Sequence, residues 1–192
     1  MNTQEKASVE MERNSPATKP AERVLVITRV FDAPRSLVFK AWTDPEHVGR
    51  WWGPKGFTTP FCKIDLRPGG AFHYCMRSPE GRGFWGKGIY REIVEPERIV
   101  FTDFFADEEG NPVPATHYGM SPDWPAEMLV TVTFADHEGK TKLTLQHAGI
   151  PSGAEGDSCE AGWTQSLERL AEHLAQALKQ AQTPGARAAR AA

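Results

Sequence analysis

The alternation of apolar and polar residues predicts seven β-strands. Residues 24–31 form a nearly continuous β-branched and apolar run, which indicates a first strand. From residue 61 onward the apolar residues recur with a period of two, which is typical of strands that have one buried face. The remaining six strands are predicted at residues 61–66, 71–77, 84–94, 99–105, 128–134 and 140–146.

Helical spacing occurs in two parts of the chain. After Pro34, apolar residues at 37, 38, 41 and 42 predict a short helix, and Asp44-Pro45 begins a second short helix that Gly53-Pro54 ends. Residues 156–180 predict one long amphipathic helix, with Asp157 or Ser158 as its N-cap. Its apolar face consists of Trp163, Leu167, Leu170, Leu174 and Leu178.

The order strand, two short helices, six strands and long helix predicts an α+β fold. A long amphipathic helix must bury its apolar face against the sheet, so we expect a curved antiparallel sheet wrapped around the C-terminal helix. We place this domain at residues 23–180. Residues 1–22 have almost no large apolar side chains, which predicts a disordered N-terminal arm, and residues 181–192 are predicted to be a disordered C-terminal tail.

Charge and composition exclude several classes of protein. A net charge of −3 gives no reason to expect nucleic-acid binding. The sequence contains no stretch of 18 or more apolar residues, which is the length needed to span a bilayer, and the N-terminus lacks the apolar region of a signal peptide. The three cysteines form no Cys-x-x-Cys pair, so we expect reduced thiols and a cytoplasmic location.

Residues that could carry out chemistry are scattered along the chain. The string Gly81-Arg-Gly-Phe-Trp-Gly86 matches a dinucleotide fingerprint, but a predicted strand follows it where that fingerprint requires a helix. The six histidines show no metal-binding spacing, and His73 and Cys75 are expected on the less buried face of their strand. We therefore predict no catalytic residue, no metal and no cofactor.

Five ionisable residues could place a carboxylate and an imidazole near a pocket. Acid–base chemistry requires such groups within hydrogen-bond reach of a substrate, which a sequence does not show. The sequence therefore favours surface or turn-capping roles for each of them. The five residues are Asp65, Asp103, His117, Glu127 and His147.

The high aromatic content is more informative. The chain has six tryptophans, ten phenylalanines and three tyrosines, and core packing accounts for most of them. The remainder could line an apolar pocket of the kind that holds small molecules. As ligand-binding residues we predict Trp52, Phe72, Tyr74, Trp85, Phe101, Trp163 and Leu167.

Several local motifs together resemble the SRPBCC/START-like superfamily. Within it, the chain is similar to the bacterial family related to the C-terminal domain of the activator of the ninety-kilodalton heat-shock ATPase. This resemblance implies a helix-grip (START-like) fold and often a bound hydrophobic small molecule. It covers residues 23–178 and is carried by Ile27-Thr-Arg-Val-Phe-Asp-Ala-Pro34, Val38-Phe-Lys-Ala-Trp42, Trp51-Trp-Gly-Pro54, Asp65-Leu-Arg-Pro-Gly-Gly70, Gly88-Ile-Tyr-Arg-Glu-Ile93 and Gly162-Trp163.

Three functions remain open from the sequence. The first hypothesis is binding of a hydrophobic or aromatic small molecule between the sheet and the C-terminal helix, without catalysis and with a homodimer as one possible assembly. The second is a cyclase- or aromatase-like enzyme acting on a polyketide-type substrate, which should show a buried ionisable group with a perturbed pKa facing the cavity. The third, which the family name implies, is an interaction module that modulates a chaperone ATPase in the stress response.

Overall fold

The computed structural model describes residues 23–182 and confirms the predicted order of elements. The predicted N-terminal arm, and the tail from residue 183 onward, lie outside the described residues. The strands are β1 (Arg23–Phe31), β2 (Thr58–Ile64), β3 (Ala71–Arg77), β4 (Gly83–Val94), β5 (Arg98–Ala106), β6 (Met128–His137) and β7 (Lys140–Ile150). The α-helices are α1 (Arg35–Thr43), α2 (Pro45–Trp51) and α3 (Ala154–Gln182), and a 3-10 turn spans Ala115–Tyr118.

The seven strands form one curved antiparallel sheet in the order β1-β7-β6-β5-β4-β3-β2. The first strand pairs with the last, with Ile27 opposite Leu145, so β1 forms one edge of the sheet beside β7. The long helix α3 packs against the apolar face of the sheet, which confirms the predicted helix-grip α+β fold. None of the helices in the described part of the chain is long and apolar enough to cross a membrane.

The apolar face of α3 is buried as its spacing predicts. Leu167 and Leu170 are fully buried and Leu174 is almost so, while Trp163 and Leu178 are partly buried against the same core. The predicted N-cap was wrong, because α3 begins at Ala154, so that Asp157 and Ser158 lie inside its first turns. The acidic side chains in its first turn, Glu155 and Asp157, interact favourably with the helix dipole.

The two short helices close one end of the structure. The Asp44 carboxylate accepts a hydrogen bond from the backbone N–H of Glu46 at 2.9 Å and so caps α2, whose first residue is Pro45. The guanidinium of Arg169 on α3 donates to backbone carbonyls just after α2, with Nη1 2.8 Å from the oxygen of Gly53. These bonds satisfy carbonyls that the end of α2 leaves unpaired, and they fix the segment that begins at Trp52.

The outer face of β3 is covered more fully than its sequence pattern predicts. Cys75 is 1% exposed, although it lies on the predicted less buried face of β3 together with His73 and the exposed Arg77. The ring centroid of His73 lies 5.1 Å from that of Phe61 and 5.2 Å from that of Trp85. Aromatic side chains of β2 and β4 thus shield the outer side of β3, which alternation within β3 alone does not reveal.

We predict that Leu170→Ala lowers the free energy of unfolding by about 2–5 kcal/mol, because it removes a fully buried side chain and leaves a cavity. Glu172→Ala, at an exposed position of the same helix, should change it by less than about 0.5 kcal/mol. Urea denaturation of both variants measures the difference. Equal losses of stability would show that the buried face of α3 is wrongly assigned.

Candidate functional site

A cavity of about 480 Å³ lies between the N-terminal half of α3 and the sheet. Strands β3 to β7, the loop between β5 and β6, and the segment after α2 supply the rest of its wall. Most of the lining is apolar. The large apolar residues in it are Trp52, Phe57, Tyr74, Met76, Phe84, Trp85, Phe104, Phe105, Met120, Trp124, Met128 and Trp163.

The cavity exists because the side chains that α3 directs toward the sheet are mostly smaller near its N-terminus than in the rest of the helix. At helical spacing, the side facing the sheet carries Leu167, Leu170 and Leu174 from the middle of the helix onward, and these fill the core. In the N-terminal half the residues that line the cavity are mostly small, namely Ser158, Cys159, Gly162 and Ser166. Small side chains on a helix that a continuous core holds in place leave the space beside them unfilled.

Four of the seven predicted ligand-binding residues line this cavity: Trp52, Tyr74, Trp85 and Trp163. The other three predicted residues, Phe72, Phe101 and Leu167, are buried in the core beside the cavity rather than in its wall. Among the four, Trp85 is a special case. Its indole ring contacts His73 and Phe61 on the outer face of the sheet, because it alternates with the inward-facing Gly86.

Trp52 and Trp163 form one aromatic side of the cavity. Their ring centroids are 5.3 Å apart in an edge-to-face arrangement, and Trp52 makes a similar contact with Tyr74 at 5.2 Å. The indole of Trp163 also stacks on Trp42 of α1 at 6.1 Å. These neighbours fix both indoles in place, so this side of the cavity is preformed.

The loop between β5 and β6 covers the cavity and is attached to α3. Met120 and Trp124 of this loop line the cavity. The carboxylate of Glu155, at the start of α3, accepts hydrogen bonds from the Trp124 indole N–H and, at 2.8 Å, from the backbone N–H of Ser121. The sequence indicated only that this proline-containing loop is long, since a loop without periodicity does not reveal which residues point inward.

Asp103 is a buried carboxyl group in the cavity wall. It lies on β5, and its side chain is 15% exposed. The hydroxyl of Tyr74 donates to its Oδ1 at 3.3 Å. Gly86 makes this contact possible, because a Cβ at that position would overlap the Tyr74 ring. Burial raises the pKa of Asp103 to about 7, since the charged form is poorly solvated there.

His147 on β7 lies beside Asp103 and is 3% exposed. The indole N–H of Trp163 donates to its Nδ1 at 3.1 Å, so the proton of the neutral imidazole is on Nε2. Burial lowers the pKa of His147 to about 4. The hydrogen bond from Trp163 also favours the neutral imidazole, because a proton on Nδ1 would be directed at the indole N–H, which is itself a donor.

The Nε2 atom of His147 has no hydrogen-bond partner among the described residues. It lies 3.7 Å from Oδ2 of Asp103, which is too far for a direct hydrogen bond. The cavity thus combines apolar walls with a neutral N–H donor and a carboxyl group that titrates near neutral pH. Both residues were among the five ionisable candidates from the sequence, where surface or turn roles were favoured for them.

The described residues contain no group of three or more histidine, cysteine, aspartate or glutamate side chains arranged to hold a metal ion. Asp65, in contrast to the cavity pair, is exposed and accepts a hydrogen bond from the Arg67 side chain at 3.1 Å, in the turn before β3. His117 and Glu127 are also absent from the cavity lining.

Comparison with known proteins gives matches over most of the chain. The family model described as "Activator of Hsp90 ATPase homolog 1-like protein" matches residues 32–175. A crystal structure from Chromobacterium violaceum is similar at 31% sequence identity and a TM-score of 0.64, covering 79% of this chain and 96% of that one. A solution structure from Arthrobacter aurescens has 25% identity and a TM-score of 0.67, covering 83% and 93%. No curated protein matches the sequence.

We predict that Asp103→Asn becomes more stable relative to the wild type as the pH rises. Because the pKa of Asp103 is raised to about 7, the native state binds more protons than the unfolded state between about pH 4 and 7. Wild-type stability is therefore lost as pH rises through that window, whereas asparagine does not titrate. Between pH 5 and pH 8 the difference in unfolding free energy should shift by about 2–3 kcal/mol in favour of the variant.

Urea melts of both proteins at the two pH values measure this shift. The lowered pKa of His147 has the opposite effect between about pH 4 and 6.5, but His147 is present in both proteins and its contribution cancels in the difference. A difference that stays constant with pH would contradict the raised pKa of Asp103.

Proposed function

The chain belongs to the family of Activator of Hsp90 ATPase homolog 1-like proteins, and from this premise we propose that it binds a hydrophobic or aromatic small molecule without changing it chemically. The binding site is the cavity between the sheet and α3. The three cysteines of the chain are free thiols, which fits a reducing compartment, and we propose that the protein works in the cytoplasm.

One observation carries this proposal, namely a cavity of about 480 Å³ whose wall is mostly apolar. Pockets for small molecules usually have about 300–1,000 Å³ and combine apolar and aromatic walls with a few polar groups. Asp103, His147 and Glu155 are the ionisable side chains of this kind in the wall, together with the thiol of Cys159 and the phenol of Tyr74.

The shape of the aromatic side favours a planar ligand. Trp52 and Trp163 are held by other rings, and the cavity wall also contains Phe104 and Phe84. A planar ligand can contact these rings by offset stacking or edge-to-face packing, which adds to the free energy of burying its apolar surface. Little reorganisation of the protein is then needed on binding, which favours affinity.

Catalysis is a second candidate function, and the pair of Asp103 and His147 favours it. A carboxyl group with a pKa of about 7 inside the cavity is able both to take up and to release a proton near neutral pH. Turnover of a bound molecule that is lost in Asp103→Asn, with binding retained, would support an enzyme. Modulation of a chaperone ATPase is supported only by the family description.

Filling the cavity tests the proposal. Gly162 on α3 lines the cavity, and a Cβ there would meet only the Cγ of Pro54, at 3.7 Å. In Gly162→Phe the ring should occupy the space of the ligand. Naphthalene and anthracene serve as planar probes, and binding to the wild type at 100 times Kd should stabilise the fold by about 2.7 kcal/mol, or raise Tm by roughly 5–10 °C. Thermal shift and tryptophan emission measure this effect, which Gly162→Phe should abolish.

Gly162→Ala is the matched control. Alanine leaves the cavity open, so the ligand-induced rise in Tm should persist, and the variant itself should be more stable by about 0.5–1 kcal/mol because glycine is unfavourable inside a helix. Absence of any ligand-induced shift in the wild type would count against the binding function. An equal shift in Gly162→Phe and Gly162→Ala would place binding outside this cavity.

A further inference from the structure

We propose that the cavity selects molecules that carry a hydroxyl group on an apolar skeleton, with the hydroxyl oxygen held between Nε2 of His147 and Oδ2 of Asp103. This inference rests on the proposed binding function and names the chemical class of its ligand. It is carried by two polar atoms, on two residues that line the cavity, that lie 3.7 Å apart without bonding to each other.

The first step concerns His147. Its Nε2 atom is buried and has no hydrogen-bond partner among the described residues. Because Trp163 donates to Nδ1, the Nε2 atom carries a proton and is a donor. A buried donor without an acceptor is unfavourable for the folded protein, and such an atom in a cavity wall is therefore suited to a ligand oxygen.

The second step concerns the distance between the two side chains. Nε2 of His147 and Oδ2 of Asp103 are 3.7 Å apart, so an oxygen atom can lie about 2.8 Å from both. Tyr74 already donates to the other carboxylate oxygen, Oδ1. Oδ2 is therefore the atom available to accept a further hydrogen bond. The group between them must accept from nitrogen and donate to oxygen, which a hydroxyl does.

Other polar groups fit less well. A ligand carboxylate would face the carboxyl groups of Asp103 and Glu155, and the cavity lining contains no lysine or arginine to offset that charge. An ammonium group could pair with Asp103 but cannot accept from His147. An ether or ketone oxygen accepts from His147 but has no proton for an ionised Asp103. A hydroxyl group satisfies both side chains at once.

The ionisation of Asp103 should therefore set the strength of this selection. The titratable groups that face it are Tyr74 from β3, His147 from β7, and Cys159 and Glu155 from α3. Burial raises the pKa of Cys159 to about 12, so this thiol does not compete near neutral pH. A hydroxyl that donates to a carboxylate forms a stronger hydrogen bond than one that donates to a neutral carboxyl group. Selection for a hydroxyl over an ether should weaken as the pH falls below 7.

Three matched probes test the proposal: 2-naphthol, 2-methoxynaphthalene and naphthalene. Titration calorimetry with the wild type at pH 8 should show that 2-naphthol binds on the order of ten- to a hundredfold more tightly than naphthalene, because one of its hydrogen bonds is made to a charged group. The methyl ether should lie between them or nearer to naphthalene. At pH 5.5 the ratio between 2-naphthol and its methyl ether should fall severalfold.

Variants assign the effect to the two side chains. His147→Phe and Asp103→Asn should each reduce the preference for 2-naphthol over naphthalene by about tenfold, while the affinity for naphthalene stays within a few-fold of the wild type. His137→Phe and Asp136→Asn make the same chemical changes at exposed positions of the hairpin between β6 and β7, and they should leave the preference unchanged.

The outcomes separate the two proposals. Equal affinity of the wild type for 2-naphthol and naphthalene would overturn the hydroxyl site and leave the binding function intact. Binding of none of the three probes would count against both. Since the comparison uses three ligands on the same wild-type protein, it decides the matter even if a variant fails to fold.

Discussion

The structure depends on the burial of one face of α3 against the concave face of the sheet. Leu167, Leu170 and Leu174 join the side chains of the strands and of α1 in a single core. This packing fixes the distance between the helix and the sheet. The N-terminal half of α3, which carries small residues, then spans a gap that it does not fill, and the core and the cavity are thus two consequences of one helix.

The same packing determines how much free energy it costs to bury a charge on the polar groups of the cavity. Asp103 and His147 lie where water is largely excluded, so each favours its neutral form. Tyr74 and Trp163 orient these two side chains by donating one hydrogen bond to each. Because Tyr74 bonds Oδ1 of Asp103 and Trp163 bonds Nδ1 of His147, Oδ2 and Nε2 are left as the two atoms that approach each other, 3.7 Å apart.

A ligand in such a site would be held by two kinds of interaction. The apolar wall contributes a free energy that grows with the buried surface of the ligand and does not depend strongly on its identity. The two polar atoms contribute little to the burial of apolar surface. They disfavour the binding of molecules that would leave them without a hydrogen-bond partner. The loop fixed by Glu155 closes the side of the cavity at which α3 begins. Affinity and selectivity would therefore arise from different parts of the cavity.

Much of the fold follows from the sequence alone. A continuous apolar run predicted β1, and period-two patterns with turn residues predicted the other six strands. The stripe from Leu167 to Leu174 predicted the buried face of α3. These signals are all local. The start of α3 at Ala154 was missed, since the sequence pattern placed the N-cap at Asp157 or Ser158, which lie inside the helix. For the site, aromatic content indicated an apolar pocket, and three of the predicted residues, Trp52, Tyr74 and Trp163, lie in the wall of the cavity.

Only the tertiary structure distinguished the cavity wall from the core. Phe72 and Phe101 have the same inward alternation as Tyr74, yet they are covered by other side chains whereas Tyr74 borders the cavity. Asp103 and His147 are 44 positions apart in the sequence and meet because β5, β6 and β7 are neighbouring strands. A sequence pattern records which face of an element is apolar. Where the facing elements stop filling the space between them depends on the volumes of residues that are distant in the chain.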